Sequence, residues 1–400
     1  MIQTFYPPYN FGGDGIFVHR LVSELATRGH TVDVIHCTDA YRVLAGKEPK
    51  PAPPEHPNLT VHALSSAFHS LSPLATQQTG YPYFKAAEIR KVLARGFDVI
   101  HFHNISLVGG PRVLEFGDAI KLYTMHEFWL ICPTHVLFKF NKEVCVDREC
   151  TKCQLVYKRP PQLWRHTGMM ANAIKHVDLF LSPDRHTIGK HHEQFPGMPI
   201  THMPHFVPLV EVADQSDSVP PYFLFVGRLE KLKGLQEVIP LFRTYPRAQL
   251  WIAGTGDYGE DLRAVAQDSP NIRFLGFRSG KELQELYRQA VAVIVPSINF
   301  EVAPPLVVME GYRQQTPALV LNLGSMPEII EDSGGAGFVY NTIEELAGQM
   351  DQLCASRALR DELGMRGYRA FQTQWTADAH LATYFGLIGD IAKRRGISLD

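Results

Sequence analysis

The feature that most constrains the fold of this 400-residue chain is an alternation of short strand-like runs with helical patterns. In the first half, helical patterns such as "IFVHRLVSELATRG" separate β-branched or aromatic runs, which are "IQTFYP", "HTVDVIH", "LTVHALS", "FDVIHFHN", "AIKLYTM" and "DLFLSP". This alternation is typical of a parallel, doubly wound α/β sheet, whose ligands bind at the carboxyl ends of the strands. The first half therefore predicts such a sheet.

The alternation lapses over a polar, proline-bearing stretch from Pro208 to Pro221 and then begins again with "YFLFVGR", "QLWIAG", "IRFLGF", "VAVIVPS" and "PALVLN". We therefore predict two doubly wound, Rossmann-like domains, 1–208 and 221–372, that face each other across a cleft. Residues 373–400 are predicted to contain one long amphipathic helix that packs back across the domains.

Composition and charge exclude several classes of protein. The chain is 45% hydrophobic and has a formal net charge of -2, which is typical of a globular protein and not of a nucleic-acid binder. Neither a signal-peptide pattern nor a run of about 18 apolar residues is found. The sequence predicts a cytoplasmic protein without a nucleic-acid partner.

Two cations mark a candidate anion site in the second half. In "FVGRLEKLKG", Arg228 follows a strand end and Lys233 lies at the start of the next helix. Two cations beside a helix N-terminus favour a diphosphate, because backbone amides and the helix dipole attract anions. The alternative is a solvated basic turn.

Two glutamates surround a proline pair in "FEVAPPLVVME". On an unbroken helix, nine residues would turn Glu310 about 180° away from Glu301, so the two could not share a ligand. If a helix begins near Pro305, Glu310 lies inside it and Glu301 lies on the preceding loop. Both carboxylates can then accept hydrogen bonds from vicinal sugar hydroxyls. The alternative is a cap-like Glu301 and a surface Glu310.

Nearly the whole chain resembles one enzyme family. The segments "VGRLEKLKG", "LWIAGTGDYGEDL", "IRFLGFRSGKELQELY" and "VPSINFEVAPPLVVMEGYRQQTPALVLNLGSMPEII" are similar, in order and spacing, to the C-terminal domain of retaining GT-B glycosyltransferases of family 4. In the first half, "YPPYNFGGDGIFVHRLVSELATRGHTVDVI", "DVIHFHN" and "YTMHEFW" resemble the family's glycine loop, mid-domain strand and strand-end histidine. The family implies transfer of a sugar from a nucleotide diphosphate sugar with retention at the anomeric carbon, without a required metal ion.

The resemblance also implies roles for the charged residues of the second half. Arg228 and Lys233 would bind the donor diphosphate and stabilise it as it leaves. Glu310 would bind the ribose hydroxyls, and Glu301 would bind hydroxyls of the donor sugar. The family usually has seven residues between these glutamates, whereas this chain has eight.

Further contacts are implied on both sides of the predicted cleft. The amides of Leu306 and Val307 would reach toward the phosphates, and Phe277 would begin the nucleobase pocket. Gly12 and Gly13 would let the backbone approach the phosphates and the acceptor.

The resemblance places His126 beside the anomeric centre, as a catalytic residue. Glu127 follows it, where the family often has aspartate. The implied acceptor is a hydroxyl of a glycan or a lipid-linked molecule. Two alternatives are a nucleotide-sugar epimerase or phosphorylase on the same architecture, and a non-catalytic nucleotide-sugar binder.

Four cysteines cluster in an insertion at about 128–160, namely Cys132, Cys145, Cys150 and Cys153. In a reducing compartment this spacing predicts a structural zinc site, with free thiols, or a disulfide or redox use, as alternatives. His101 and His103 share one face of a strand and are interpreted as satisfied core or cleft histidines in preference to a metal site.

A basic and aromatic stretch follows the first-domain strands. Its basic residues are Lys139, Lys142, Arg148, Lys152, Lys158, Arg159 and Arg165, and its aromatic residues are Trp129, Phe138, Phe140, Tyr157 and Trp164. Such a stretch predicts either peripheral contact with an anionic membrane surface, at the inner membrane face, or an ordinary exposed face.

Overall fold

A computed structural model describes residues 1–50, 55–213 and 220–399 of the chain. These residues form two compact units. One comprises Met1–Phe140, Val146–Met203 and the residues from Leu381 onward, and the other comprises Asn141–Cys145 and Pro204–His380. The second unit thus begins four residues before the predicted linker, of which residues 214–219 lie outside the described part.

Strands and helices alternate through residues 1–203 as predicted. The strands are β1 (Val32–Cys37), β2 (Leu59–Leu64), β3 (Val99–Phe102), β4 (Ile120–Thr124), β5 (Phe138–Lys139), β6 (Glu143–Val144), β7 (Leu179–Ser182) and β8 (Ile200–His202). The helices are α1 (Gly13–Thr27), α2 (Thr38–Ala45), α3 (Leu71–Thr79), α4 (Ala86–Leu93), α5 (Cys150–Val156), α6 (Met169–Ala173) and α7 (Arg185–Gln194). Short 3-10 helices lie at Pro111–Glu115, Leu163–His166 and Ile174–His176.

The first unit contains two parallel groups of strands, β1-β2 and β3-β4-β7-β8. The predicted strand "IQTFYP" forms only isolated bridges, in which Ile2 pairs in parallel with Ile35 of β1 and Phe102 of β3. The Ile2 amide donates to the His101 carbonyl at 2.9 Å, and Gln3 donates to Ile35 at 2.9 Å. The segment therefore joins the two groups, but it cannot extend as a strand because the prolines at 7 and 8 offer no N–H groups.

The second half repeats the alternation. Its strands are β9 (Tyr222–Val226), β10 (Gln249–Ala253), β11 (Ile272–Gly276), β12 (Ala292–Val295), β13 (Ala318–Leu321) and β14 (Gly337–Tyr340). Its helices are α8 (Leu235–Thr244), α9 (Gly259–Val265), α10 (Gly280–Gln289), α11 (Leu306–Arg313), α12 (Met326–Asp332), α13 (Ile343–Ala355), α14 (Arg357–Gln374) and α15 (Ala377–Arg395), and a 3-10 turn lies at Lys231–Lys233.

One parallel sheet of order β11-β10-β9-β12-β13-β14 organises the second unit. Side chains of β9 alternate between two cores, with Phe223 and Phe225 in one cluster and Tyr222 and Leu224 in the other. Both faces are therefore covered, as a doubly wound sheet requires. The chain leaves β9 toward β10 on one side and returns to β12 on the other, so the point where strand order reverses lies between β9 and β12.

The predicted C-terminal helix corresponds to α15, which begins at Ala377, and the first two residues of the predicted range belong to the end of α14, which ends at Gln374. Trp375 lies between them with φ -118° and ψ 24°, and its carbonyl accepts a hydrogen bond from the Val207 amide at 3.1 Å. Its buried ring stacks on Tyr312. Burial of this large ring, together with the carbonyl's partner outside the helix, accounts for the break.

Candidate functional site

The second unit places its charged candidates at the point where strand order reverses. The loop after β9 carries Arg228 and continues into the 3-10 turn that contains Lys233. The loop after β12 carries Glu301. Because β9 and β12 are adjacent parallel strands, their carboxyl ends bring these two loops together.

Lys233 and Glu301 form an ion pair in which Lys233 Nζ donates to Glu301 Oε1 at 2.6 Å. Both side chains are mostly buried, with exposed fractions of 24% and 17%. Burial alone opposes ionisation of Glu301. The charge of Lys233, hydrogen bonds from Lys233 and Ser297, and the charge of Arg228 together hold its pKa below the ordinary value. Glu301 is therefore a carboxylate at neutral pH.

The backbone at Gly234 fixes the position of this lysine. Gly234 has φ 73°, and a Cβ added there would lie 1.9 Å from the Pro296 carbonyl oxygen at the end of β12. The amide of Ile298 donates to the Leu232 carbonyl at 2.9 Å. The 3-10 turn is therefore pressed against the β12 loop, and only glycine allows this approach.

A buried serine holds the Glu301 loop through a hydrogen bond to its backbone. Ser325, which is fully buried, donates through Oγ to the Glu301 carbonyl at 2.8 Å. Ala303 has a left-handed φ of 72°, and α11 begins at Leu306, directly after Pro305. The bend predicted from the proline pair is present, although Pro305 precedes the first helical turn. The loop with eight residues between its glutamates still directs Glu301 toward Lys233.

The N-terminal turn of α11 carries the other predicted donor groups. As its first two residues, Leu306 and Val307 have amides without partners inside the helix. Glu310 is half-buried and accepts a hydrogen bond from the Tyr287 hydroxyl at 3.1 Å. Tyr287 is fully buried, so it orients the Glu310 carboxylate.

Phe277 directly follows β11, and its side chain is 72% exposed. An exposed aromatic ring at a strand end can stack on a nucleobase. The predicted pocket role remains a prediction.

Arg228 pairs with Glu230, its Nη1 lying 2.6 Å from Glu230 Oε1. The arginine is 56% exposed and the glutamate 28%. A diphosphate that binds Arg228 must therefore compete with a carboxylate of the same loop.

We expect Glu230→Gln to tighten binding of the matching nucleoside diphosphate by up to about fivefold, because an exposed ion pair is worth about 0.2–1 kcal/mol. Isothermal titration measures this change. Glu362→Gln, which removes a similar ion pair with Arg366 on α14, is the matched control and should leave the affinity unchanged. Unchanged or weaker binding in Glu230→Gln would mean that the pair does not compete with the ligand.

In the first unit, Gly12 precedes α1 in an extended conformation, and Gly13 is the first helical residue. Gly13 is exposed and Gly12 half-buried, so the backbone is open to an approaching group. Asp14 Oδ1 already accepts a hydrogen bond from the Gly15 amide at 2.8 Å. A carboxylate therefore lies at this helix start, and the predicted phosphate approach stays a prediction.

His126, just beyond β4, is held by a second histidine. A 2.9 Å hydrogen bond joins His126 Nε2 to His103 Nδ1, and burial lowers the pKa of His126 to about 3. His126 is therefore a neutral imidazole at physiological pH. His101 contacts Thr124 Oγ1 at 2.8 Å and Tyr384 at 3.2 Å, which confirms the core interpretation of the strand histidines.

The structure does not bring the four insertion cysteines together. All six cysteines are thiols, and the described residues contain no group of three or more His, Cys, Asp or Glu side chains arranged to hold a metal ion. Cys145 falls in the segment Asn141–Cys145, which is grouped with the second unit. Burial and the neighbouring Cys132 raise the pKa of the Cys150 thiol. The zinc site remains a prediction.

Three aromatic residues of the predicted membrane-contact stretch are core residues instead. Trp129, Phe138 and Trp164 are 1%, 1% and 6% exposed, so they cannot serve as surface anchors. Lys139 is paired with Glu149 at 2.8 Å. No helix in the described ranges is both long and apolar enough to span a bilayer.

Sequence reasoning missed the residues that orient the candidates, which are Glu230, Ser297, Tyr287, Ser325 and His135. Glu230 and Ser297 carried a local signal, since they lie two residues after Arg228 and four residues before Glu301. Tyr287 and Ser325 lie more than 20 residues from their partners along the chain, and the contact of His135 is described below.

Comparisons with protein families agree with this geometry. The family model of Glycosyltransferase Family 4 matches residues 11–211, and the model of Glycosyl transferases group 1 matches residues 212–370. An uncharacterized glycosyltransferase of Methanocaldococcus jannaschii is 32% identical over 145 residues, which cover 34% of this chain and 37% of that protein. A D-inositol 3-phosphate glycosyltransferase of Corynebacterium kroppenstedtii is 24% identical over 94% of this chain and 85% of its own length. A glycogen synthase of Thermus thermophilus is 31% identical over 42% of this chain and 40% of its own length. The matches to the archaeal protein and to this synthase therefore span less than half of each relative.

Solved structures share the fold over almost the whole chain. A sucrose-phosphate synthase from Thermosynechococcus elongatus superposes with a TM-score of 0.73 at 17% identity, covering 98% of both chains. The Anabaena protein HepE in complex with UDP gives a TM-score of 0.66 at 13% identity, covering 97% of this chain and 99% of that one. Both domains therefore have the GT-B arrangement of strands and helices, and because the Family 4 match alone covers half of the sequence, this chain belongs to the Family 4 glycosyltransferases.

Proposed function

We propose that the chain is a retaining glycosyltransferase that moves a hexosyl group from a nucleotide diphosphate sugar to a hydroxyl of a glycan or lipid-linked acceptor, in polysaccharide or glycoconjugate biosynthesis. The observation that carries this proposal is the cluster of Arg228, Lys233 and Glu301 at the strand-order reversal. Two cations beside a carboxylate match the two halves of such a donor, a diphosphate and a hydroxyl-bearing ring.

In the proposed reaction, the acceptor oxygen bonds to the anomeric carbon on the face that the diphosphate leaves. The bond from that carbon to the phosphate oxygen breaks, and the acceptor proton passes to the departing diphosphate. Lys233 and Arg228 neutralise the negative charge that develops on the leaving group, and such electrostatic stabilisation is usually the main contribution of a preorganised site to the rate. No enzyme nucleophile and no metal ion is needed in this scheme.

Glu301 acts on the sugar in this proposal. Lys233 is held by Glu301, so donor binding exchanges this contact for a diphosphate contact and frees the carboxylate to accept hydrogen bonds from sugar hydroxyls. Glu310, oriented by Tyr287, binds the ribose hydroxyls. The amides of Leu306 and Val307 contribute donors toward the phosphates.

Named relatives support the donor class. HepE was solved in complex with UDP and glucose, and the relatives include a glycogen synthase and a D-inositol 3-phosphate glycosyltransferase. These names favour a nucleotide sugar as donor and a polyhydroxyl compound as acceptor.

The test is thermal stability of the purified chain with UDP, GDP, ADP or CMP in EDTA. A ligand at 100 times its dissociation constant should add roughly 2.7 kcal/mol to the free energy of unfolding. We expect one nucleoside diphosphate to stabilise the wild type and to lose its effect in Glu310→Ala, because the ribose hydroxyls lose their acceptor.

Glu285→Ala, at an exposed position on α10, is the control and should keep the stabilisation. Acceptor-dependent release of the diphosphate then separates a transferase from an epimerase, a phosphorylase or a non-catalytic binder. If no nucleoside diphosphate stabilises the chain, the donor site is misassigned.

A further inference from the structure

The loop that follows β4 closes on itself within the first unit. The Phe128 amide donates to the His135 carbonyl at 2.9 Å, and the His135 amide donates to the Cys132 carbonyl at 3.1 Å. The loop thus returns to its start after eight residues. This return places His135 beside Glu127, the residue that follows His126.

Glu127 and His135 form a close pair, with His135 Nδ1 lying 2.6 Å from Glu127 Oε2. About a fifth of each side chain is exposed, 19% for the glutamate and 20% for the histidine. The imidazole therefore orients the carboxylate. The other oxygen, Oε1, is buried and has no hydrogen-bond partner among the described residues.

Arg165 holds this loop through a hydrogen bond to its backbone and through contacts with two indole rings. Its Nη2 donates to the Trp129 carbonyl at 2.7 Å, and its guanidinium lies 5.1 Å and 4.7 Å from the ring centroids of Trp129 and Trp164. Burial lowers the pKa of Arg165 to about 10, so it remains charged at neutral pH. The loop is held by a cation that lies against both indole rings, which keeps Glu127 in place before any ligand arrives.

A carboxylate oxygen has two lone pairs, so Oε2 can accept a hydrogen bond from a hydroxyl group in addition to its contact with His135. Glu127 lies at the carboxyl end of β4, where ligands of doubly wound sheets bind, next to half-buried His126.

We propose that Glu127 binds a neutral hydroxyl group of the acceptor and that His135 is the positioning residue that orients this carboxylate. The inference rests on the proposed transferase function and specifies its acceptor. A carboxylate accepts hydrogen bonds from hydroxyls and repels anions, so the part of the acceptor that meets it is a polyhydroxyl ring without phosphate or carboxylate at that point.

The experiment measures release of the nucleoside diphosphate at saturating donor while methyl α-D-glucopyranoside or myo-inositol is varied. We expect Glu127→Gln to raise the acceptor KM by about tenfold with a smaller effect on kcat, since it removes a hydrogen bond to a charged group. His135→Asn should raise KM less. Asparagine tolerates the left-handed φ of 79° at this position, so the loop is preserved.

Glu149→Gln is the matched control, because it removes ion pairs of 2.8 Å to Lys139 and Lys152 in the same region. It should leave the acceptor KM unchanged. Stabilisation by the diphosphate alone should be the same in all three variants. A Glu127→Gln variant that loses thermal stability but keeps the wild-type KM would show a purely structural pair and overturn the inference.

A second measurement uses the wild type, in case the variants fold poorly. In protein labelled with 15N-histidine, methyl α-D-glucopyranoside or myo-inositol should shift the His135 ring resonances, because the carboxylate that His135 contacts gains a new donor. The inference is overturned if neither compound shifts the His135 resonances. It is also overturned if neither compound stimulates release of the nucleoside diphosphate. A chain that no nucleoside diphosphate stabilises fails at the proposed function instead, so the two failures are distinguishable.

Discussion

Lys233→Met is expected to abolish stabilisation by the nucleoside diphosphate and to lower the transfer rate by about 10²–10³-fold, the usual cost of removing one preorganised group that stabilises developing negative charge. Methionine preserves the length and the apolar stem of the side chain, so the change removes mainly the ammonium. Thermal shift and initial rates of acceptor-dependent diphosphate release measure the two effects.

Lys231→Met is the control for this variant, because Lys231 is an exposed lysine of the same 3-10 turn. It changes the net charge equally and should leave both measurements near the wild-type values. A Lys233→Met variant that still binds the diphosphate as the wild type does would place the diphosphate elsewhere.

Lys233→Met also changes the free energy of unfolding in a pH-dependent way. In the wild type the pKa of Glu301 lies below its ordinary value of 4.5, so its ionised form stabilises the fold above that pH and this contribution is lost as pH falls through the lowered pKa. Without Lys233, burial dominates and the ionised glutamate costs about 1–3 kcal/mol at neutral pH. The difference in unfolding free energy between wild type and Lys233→Met should therefore shrink as the pH is lowered from 7 to 4.

The parts of this molecule that were predictable follow from local periodicity. Strand-like runs and helical patterns predicted parallel sheets, and polar residues just beyond strand ends predicted where a ligand would bind. Arg228 and Glu301 were found in this way, since they lie two residues after β9 and six residues after β12. The proline pair before Glu310 predicted the bend that lets one glutamate lie on a loop and the other on a helix.

The parts that were missed depend on contacts between distant segments. "IQTFYP" has the composition of a strand, but the following prolines restrict it to bridging residues between β1 and β3. Trp375 separates α14 from α15, because its buried ring and its carbonyl have partners at Tyr312 and Val207. Neither partner is visible in the local pattern.

The first-domain insertion shows the same limit. Its tryptophans and Arg165 resembled an exposed basic and aromatic surface, but in the fold the arginine lies against two indole rings and donates to backbone carbonyls. A buried cation and a surface cation have the same sequence letter. Their burial is decided by the return path of the loop, which places His135 against Glu127.

Gly234→Ala is expected to lower the free energy of unfolding of the second unit by more than about 3 kcal/mol, because two separate costs add. A left-handed φ of 73° is unfavourable for alanine, and the new Cβ would overlap the Pro296 carbonyl oxygen at 1.9 Å. Gly276→Ala separates the two costs, since Gly276 has φ 72° and no atom within 4 Å of an added Cβ, so about 1–2 kcal/mol is expected there. Urea denaturation compares the variants on the same transition, because both glycines lie in the second unit. If both variants lose the same free energy of unfolding, the close approach of the 3-10 turn to the β12 loop does not constrain the fold. A larger loss in Gly234→Ala, together with weaker diphosphate binding, would show that this approach positions Lys233 opposite Glu301.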